Sequence, residues 1–119
     1  MNLNSVDTLT RIQQLLPAGT SVFWEGEPYG NPEPNAFIVL EAGFDTPEYR
    51  WGQKRVNQKL DRIRIVALTT FLRESLIQAV FDALPGAEFE VTSVMRSRGP
   101  IGDPPNARFE AVMNINSAS

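Results

Sequence analysis

The sequence predicts an α+β fold: a single, mainly antiparallel sheet with two helices packed on one face, in the order helix, strand, strand, strand, helix, strand, strand. Two segments, starting near Ser5 and Thr70, place apolar residues at helical spacing. Five short runs rich in β-branched and aromatic residues make up the rest, and most connections are short enough to join antiparallel neighbours. At 119 residues the chain fits one domain, 1–119. A domain of that size buries roughly two thirds of its unfolded surface in one core.

In "NSVDTLTRIQQLLPAG", Ser5 is placed to cap a helix, Asp7 complements its positive end, and Val6, Leu9, Ile12 and Leu16 share a face. Pro17 and Gly19 stop it. "TSVFWEGEP" reads as a strand at 21–24, followed by the proline loop "GEPYGNPEP". "NAFIVLE" is apolar from Ala36 to Leu40, which predicts a strand covered on both faces or central in its sheet. "AGFDTPEYRWGQ" reads as a second loop.

The chain then turns basic. In "DRIRIVAL", Ile63, Ile65 and Ala67 alternate with Arg62, Arg64 and Val66, a strand with one half-polar face. Extended from Lys54 to Leu68, it would reach about 50 Å at ~3.3 Å per residue. A compact domain of this length is roughly 35 Å across, from a radius of gyration near ~13.5 Å. Either Lys54–Lys59 is loop, or this arm projects and pairs outside its own domain.

"TTFLRESLIQAVFDALPG" is the clearest helix. Leu72, Leu76, Ala79, Val80, Ala83 and Leu84 form its apolar arc, with Phe71, Ile77 and Phe81 at the margins and Glu74, Ser75, Gln78 and Asp82 opposite. Thr69 or Thr70 caps it and Pro85-Gly86 ends it. Two strands follow, "EFEVTSVMR" and "ARFEAVMNI", joined by the long loop "SRGPIGDPPN". Proline pairs lead into two strands, Pro32 and Pro34 before Ala36, Pro104 and Pro105 before Arg108. Each holds the incoming chain extended. The first strand is expected deep in the sheet. The second, interrupted by Arg108, Glu110 and Asn114, is expected nearer an edge that another subunit could reach.

Composition removes much chemistry. The chain has no cysteine and no histidine, so disulfides, thiolate sites, Ser-His and Cys-His catalysis and His-rich metal sites are excluded. Gly99 and Gly102 lack the lysine and strand-to-helix setting of a phosphate loop and read as turn residues. Glu25, Glu27, Asp45 and Glu48 lie in loops without ligand spacing, and Glu88 and Glu90 alternate with Phe89 and Val91 as on a half-buried strand. The expectation is a non-enzymatic protein without metal or cofactor, soluble, with no signal segment and no membrane span.

Charge is segregated along the chain. Residues 1–48 carry seven acids and one base, 49–73 seven bases and one acid, and 74–119 six acids and three bases. Such blocks suggest complementary faces that meet another copy or a partner. "YRWGQKRVNQK" interleaves Tyr49 and Trp51 with Arg50, Lys54, Arg55 and Lys59, a mixture suited to single-stranded nucleic acid or to an interface anchored by aromatics. The acidic chain as a whole favours the interface. Arg98, Pro100, Ile101, Asp103 and Pro105 of the long loop form a second candidate contact.

The series "PNAFIVLE" (Pro34–Glu41), "IVALTT" (Ile65–Thr70) and Leu76–Leu84 with Val80 and Ala83, ending in a β hairpin, resembles the tail terminator (tail completion) proteins of long-tailed bacteriophages. The resemblance spans most of the chain in order, while the basic arm at 50–59 and the loop at 97–107 depart from it. It implies a ring, usually of six copies, that caps the tail tube protein and joins the tail to a head-closure or connector protein. DNA would pass through that ring without sequence readout. The location implied is the virion tail or neck, and the host cytoplasm during assembly. Alternative readings are a single-strand nucleic-acid-binding module, or another neck protein such as a head-closure or tail-tube subunit.

Overall fold

The computed structural model describes residues 5–30, 32–44 and 58–117. Its elements are α1 (Ser5–Leu15), β1 (Val22–Trp24), β2 (Ala36–Phe44), β3 (Gln58–Ala67), α2 (Thr70–Ala83) running into a 3-10 turn (Leu84–Ala87), β4 (Phe89–Arg96) and β5 (Phe109–Ser117). The α+β class and the element order follow the sequence reading. The strands form one sheet in the order β1-β2-β3-β5-β4. Only β1 and β2 are parallel among its neighbours.

Alternation along the strands sorts the side chains into two faces. Ile38 and Leu40 of β2, Ile63 and Ile65 of β3, and Met113 and Ile115 of β5 meet Ile12 of α1, Leu16 just after it, and Ile77, Val80 and Ala83 of α2 in one core. Both helices therefore cover the same face. The other face has no helix among the described residues. There Phe37, Val39 and Val66 are buried beneath Phe23 and Tyr29. Because β1 and β2 run parallel, the chain must return along the sheet between them. It returns over the helix-free face, with the Tyr29 ring 4.8 Å from Phe37 and 5.4 Å from Phe23. That loop covers Phe37 and Val39 while the helices cover Ile38 and Leu40, so all four are buried, as the unbroken apolar run predicts.

Several expectations need correction. Strand β2 does not end at Glu41: Ala42, Gly43 and Phe44 continue it and pair with Leu60, Lys59 and Gln58. Lys59 is thus strand, paired within its own sheet, not loop or a strand reaching outside. This longer hairpin makes the molecule elongated, 48 × 29 × 25 Å with a radius of gyration of 15.1 Å. Strand β5 is interior rather than near an edge, lying between β3 and β4. Its polar residues are cross-strand partners on the helix-free face, Glu110 bonding Arg64 and Asn114 bonding Ser93. In α2 the Phe71 side chain is 78% exposed, whereas Arg73 is only 7% exposed. The predicted cap holds: Thr69 accepts a hydrogen bond from the Leu72 amide at 3.2 Å.

Candidate interaction surfaces

One end of the sheet is built around Arg73. Its guanidinium donates to the carbonyls of Ser97 (3.1 Å) and Glu110 (3.3 Å), donates to the Glu74 carboxylate (3.4 Å), and lies 5.8 Å from the Phe109 ring centroid. Ser97 completes the knot, donating its amide to the Glu110 carbonyl while its hydroxyl accepts from the Glu110 amide. The first turns of α2 are therefore pinned to the base of the β4–β5 connection. Sequence reasoning missed Arg73, yet it stands four residues before Ile77 and seven before Val80, on the same helical stripe.

Above that base the loop is a folded arm. Ile101 and Arg108 exchange amide-to-carbonyl bonds of 2.7 and 2.9 Å, and the Asn106 amide donates to the Asp103 carbonyl at 2.8 Å. Gly102 takes φ +96, which a side chain would strain, and the Pro104–Pro105 peptide is cis within the turn. Arg108 donates to the carbonyls of Pro105 and Ala107 and reaches Glu33 of the β1–β2 loop at 3.9 Å. Of the residues singled out in the sequence, Arg98, Pro100, Ile101, Asp103 and Pro105 are all exposed on this arm. Ile101 is 51% exposed although its backbone is held in the hairpin.

The other candidate segment falls in the connection between β2 and β3. Tyr49, Arg50, Trp51, Lys54 and Arg55 lie outside the described residues, and of Lys59 the backbone pairing to Gly43 is described. The β2–β3 connection leaves the end at Phe44 and Gln58, whereas β2 begins, and β5 begins, at the end carrying the arm. The connection therefore starts from the end opposite the arm. Between them the sheet forks. Glu41, Arg62, Asn114 and Ser93 form the last row that spans β2, β3, β5 and β4, and just past it both outer pairs change register. Such bulges add local twist and splay the two ribbons.

Among the described residues, part of the segregated charge meets inside the chain. Acidic β2 and basic β3 are antiparallel neighbours, so Glu41 sits 3.3 Å from both Arg62 and Arg64. Arg64 also reaches Glu110 at 3.0 Å and donates to the Tyr29 hydroxyl at 3.2 Å. Its Nε approaches Glu41 without hydrogen-bond geometry, so that contact is an ion pair only. Burial opposes the charge on Arg64, but the hydrogen bond and field of Glu110, with Tyr29 and Glu41, hold its pKa above the ordinary value. Arg62, Arg64 and Arg73 therefore have partners within the chain, and are not the basis of a complementary outer face.

Glu74 joins Arg73 to Arg96, whose Nε donates to both carboxylate oxygens at 2.8 and 3.1 Å. The hydrogen bond from Arg96 holds the Glu74 carboxyl below its ordinary value of 4.5. A depressed carboxyl stabilises the fold above its unfolded pKa and loses that contribution as pH falls through the folded value. Both side chains are 45% exposed, so screening limits the contribution. Glu74→Gln is expected to lower stability by about 0.5 kcal/mol near pH 7, in urea unfolding at low salt. The gap to the wild type should close as the pH drops below the ordinary carboxylate range.

Among the described residues no group of three or more acidic side chains is placed to hold a metal ion, and no helix is long and apolar enough to cross a membrane. The chain matches no family model, and no curated protein or solved structure matches it at a significant level.

Proposed function

We propose that the chain is a structural tail terminator of a long-tailed bacteriophage: a ring-forming subunit, of six copies, that caps the tail tube and joins it to a head-closure or connector protein. The resemblance of Pro34–Glu41, Ile65–Thr70 and Leu76–Leu84 to that family suggests it. The observation that carries it is bipolar geometry: the folded arm around Ile101 leaves one end of a single sheet, and the β2–β3 connection leaves the other. A subunit that joins two assemblies along an axis needs a contact at each pole. Catalysis has no part in this role, and DNA passes through the ring without base readout.

The direct test is assembly of the purified tail tube protein with and without this chain. Added in stoichiometric amounts, it should stop tube growth and appear as a ring at one end by electron microscopy. Free growth of tubes in its presence would remove the reading. Lys54→Glu with Arg55→Glu should leave the melting curve unchanged and weaken capping by about tenfold at low salt, with a smaller effect at high salt. Unchanged capping would discard a role for that basic arm. A salt titration on single-stranded DNA addresses the nucleic-acid reading, since neutralising about four phosphates gives a steep loss of affinity with salt. A ring subunit should bind weakly at every salt concentration.

A further inference from the structure

Among the described residues the sheet ends at β4 on one side and at β1 on the other, and the two edges differ. On β1 the Trp24 carbonyl already accepts from the Glu27 amide, and Val22 is the residue that bears on pairing. Strand β4 presents eight residues and β1 three. An unpaired edge is ordinarily protected by charge, proline, a bulge or a cover. On β4 the bulge lies between Val91 and Ser93, which leaves Ser93–Arg96 regularly paired. Phe89–Arg96 contains neither lysine nor proline, it pairs with β5 alone among the described strands, and Arg96 is tied down to Glu74 of α2. On the helix-free face of β4, Met95 is 69% exposed.

The pairing register sets the two edges level with each other. Phe23, Val39, Arg64, Val112 and Met95 form one continuous row across all five strands, and Val22 and Trp24 stand level with Arg96 and Val94 in the rows on either side. Strand direction also agrees. Strand β2 runs with β1, β3 against them, β5 with them and β4 against them. Copies arranged around an axis parallel to the strands, all pointing the same way, would therefore bring β4 of one beside β1 of the next in antiparallel orientation.

Backbone polarity fits the same register. The Ile38 amide donates to the Ser21 carbonyl and the Glu25 amide to the Leu40 carbonyl, so alternation turns Phe23 toward β2 and Val22 away from it. On β4 the Ser97 amide donates to the Glu110 carbonyl, so alternation turns Met95 toward β5 and Arg96 away. The outward residues Val22 and Arg96 are the ones set level. A shift of one residue would oppose an outward group to an inward one.

We propose that β4 of one copy pairs antiparallel with β1 of the next, Val22 opposite Arg96 and Phe23 beside Met95, so that the ring is joined by a sheet continuous from subunit to subunit. The occupant of the β4 edge is a second copy of this chain. The contact is head to tail, the kind that closes a ring, and Met95 gains an aromatic neighbour in Phe23 on the helix-free face. This proposal rests on the ring reading above and specifies its interface.

The absence of native cysteine allows a clean test. One row beyond Trp24, the exposed residue Glu25 stands level with exposed Ser93, and directly opposed antiparallel residues fall within disulfide reach. Glu25→Cys with Ser93→Cys should form, on mild oxidation, a reducible ladder at multiples of 13.3 kDa, in solution or on the tube. Each single variant should stay unlinked. Met95→Glu added to the pair should cut the ladder at least fivefold without moving the melting curve. Dimers from Ser93→Cys alone would mean that β4 pairs with β4, and would overturn the proposal. Rings seen by native mass spectrometry or electron microscopy without a ladder would overturn this interface and leave the ring standing. A chain that stays monomeric both free and with tubes would sink both.

Discussion

Replacing Arg73 with alanine is expected to lower the unfolding free energy by about 2–4 kcal/mol, because the Ser97 and Glu110 carbonyls would lose a charged donor at a buried site. Urea unfolding measures the total. Hydrogen exchange shows where the loss falls. If Arg73 pins the arm, amides of Ile101 and Arg108 should exchange much faster in Arg73→Ala, while those of β2 keep their order of protection. Arg73→Lys should recover part of the stability, since one ammonium reaches fewer carbonyls than a guanidinium. An Arg73→Ala variant within about 0.5 kcal/mol of the wild type would show that the carbonyls are satisfied by water.

Arg73 also marks where sequence reading stops. Apolar spacing located α2, its Thr69 cap and its end at Pro85, since those follow from local geometry. The same method treats an arginine as solvent-facing, and only tertiary context reveals two carbonyls waiting at the base of a distant hairpin. The charge blocks were only partly legible for a related reason. Acid in β2 and base in β3 look like complementary outer faces in one dimension, but antiparallel pairing brings Glu41 onto Arg62 and Arg64. The polar interruptions of β5 suggested an edge because the sequence does not disclose that β3 lies alongside with Arg64 to meet Glu110. By contrast, Phe37–Leu40 was legible as a doubly covered strand, since no polar residue marks a solvent face. What it could not disclose is that the second cover is a loop. The candidate arm was legible from its composition of glycine and proline, but its order was not. That order comes from the Ile101–Arg108 pairing and from Arg108 closing on its own turn.

Phe37→Ala tests that second cover, and its expected cost is about 3–4 kcal/mol for removing a buried aromatic ring. Phe37 carries both Tyr29 and Phe23, the latter edge-on at 5.8 Å, so the loss should not stay local. Without the ring beneath it, the returning loop loses its seat, and three-residue β1 loses its main contact on the helix-free face. Phe81→Ala, at a side chain 41% exposed, is the control and should change stability by less than about 0.5 kcal/mol. The informative readout is assembly under conditions where Phe37→Ala is still folded. If β1 forms the receiving edge of the ring, loosening it should lower the yield of the Glu25–Ser93 cross-link well before the core unfolds. An unchanged yield in a destabilised protein would separate β1 from the interface, because a strand that pairs with a neighbour must first be held in place by its own subunit.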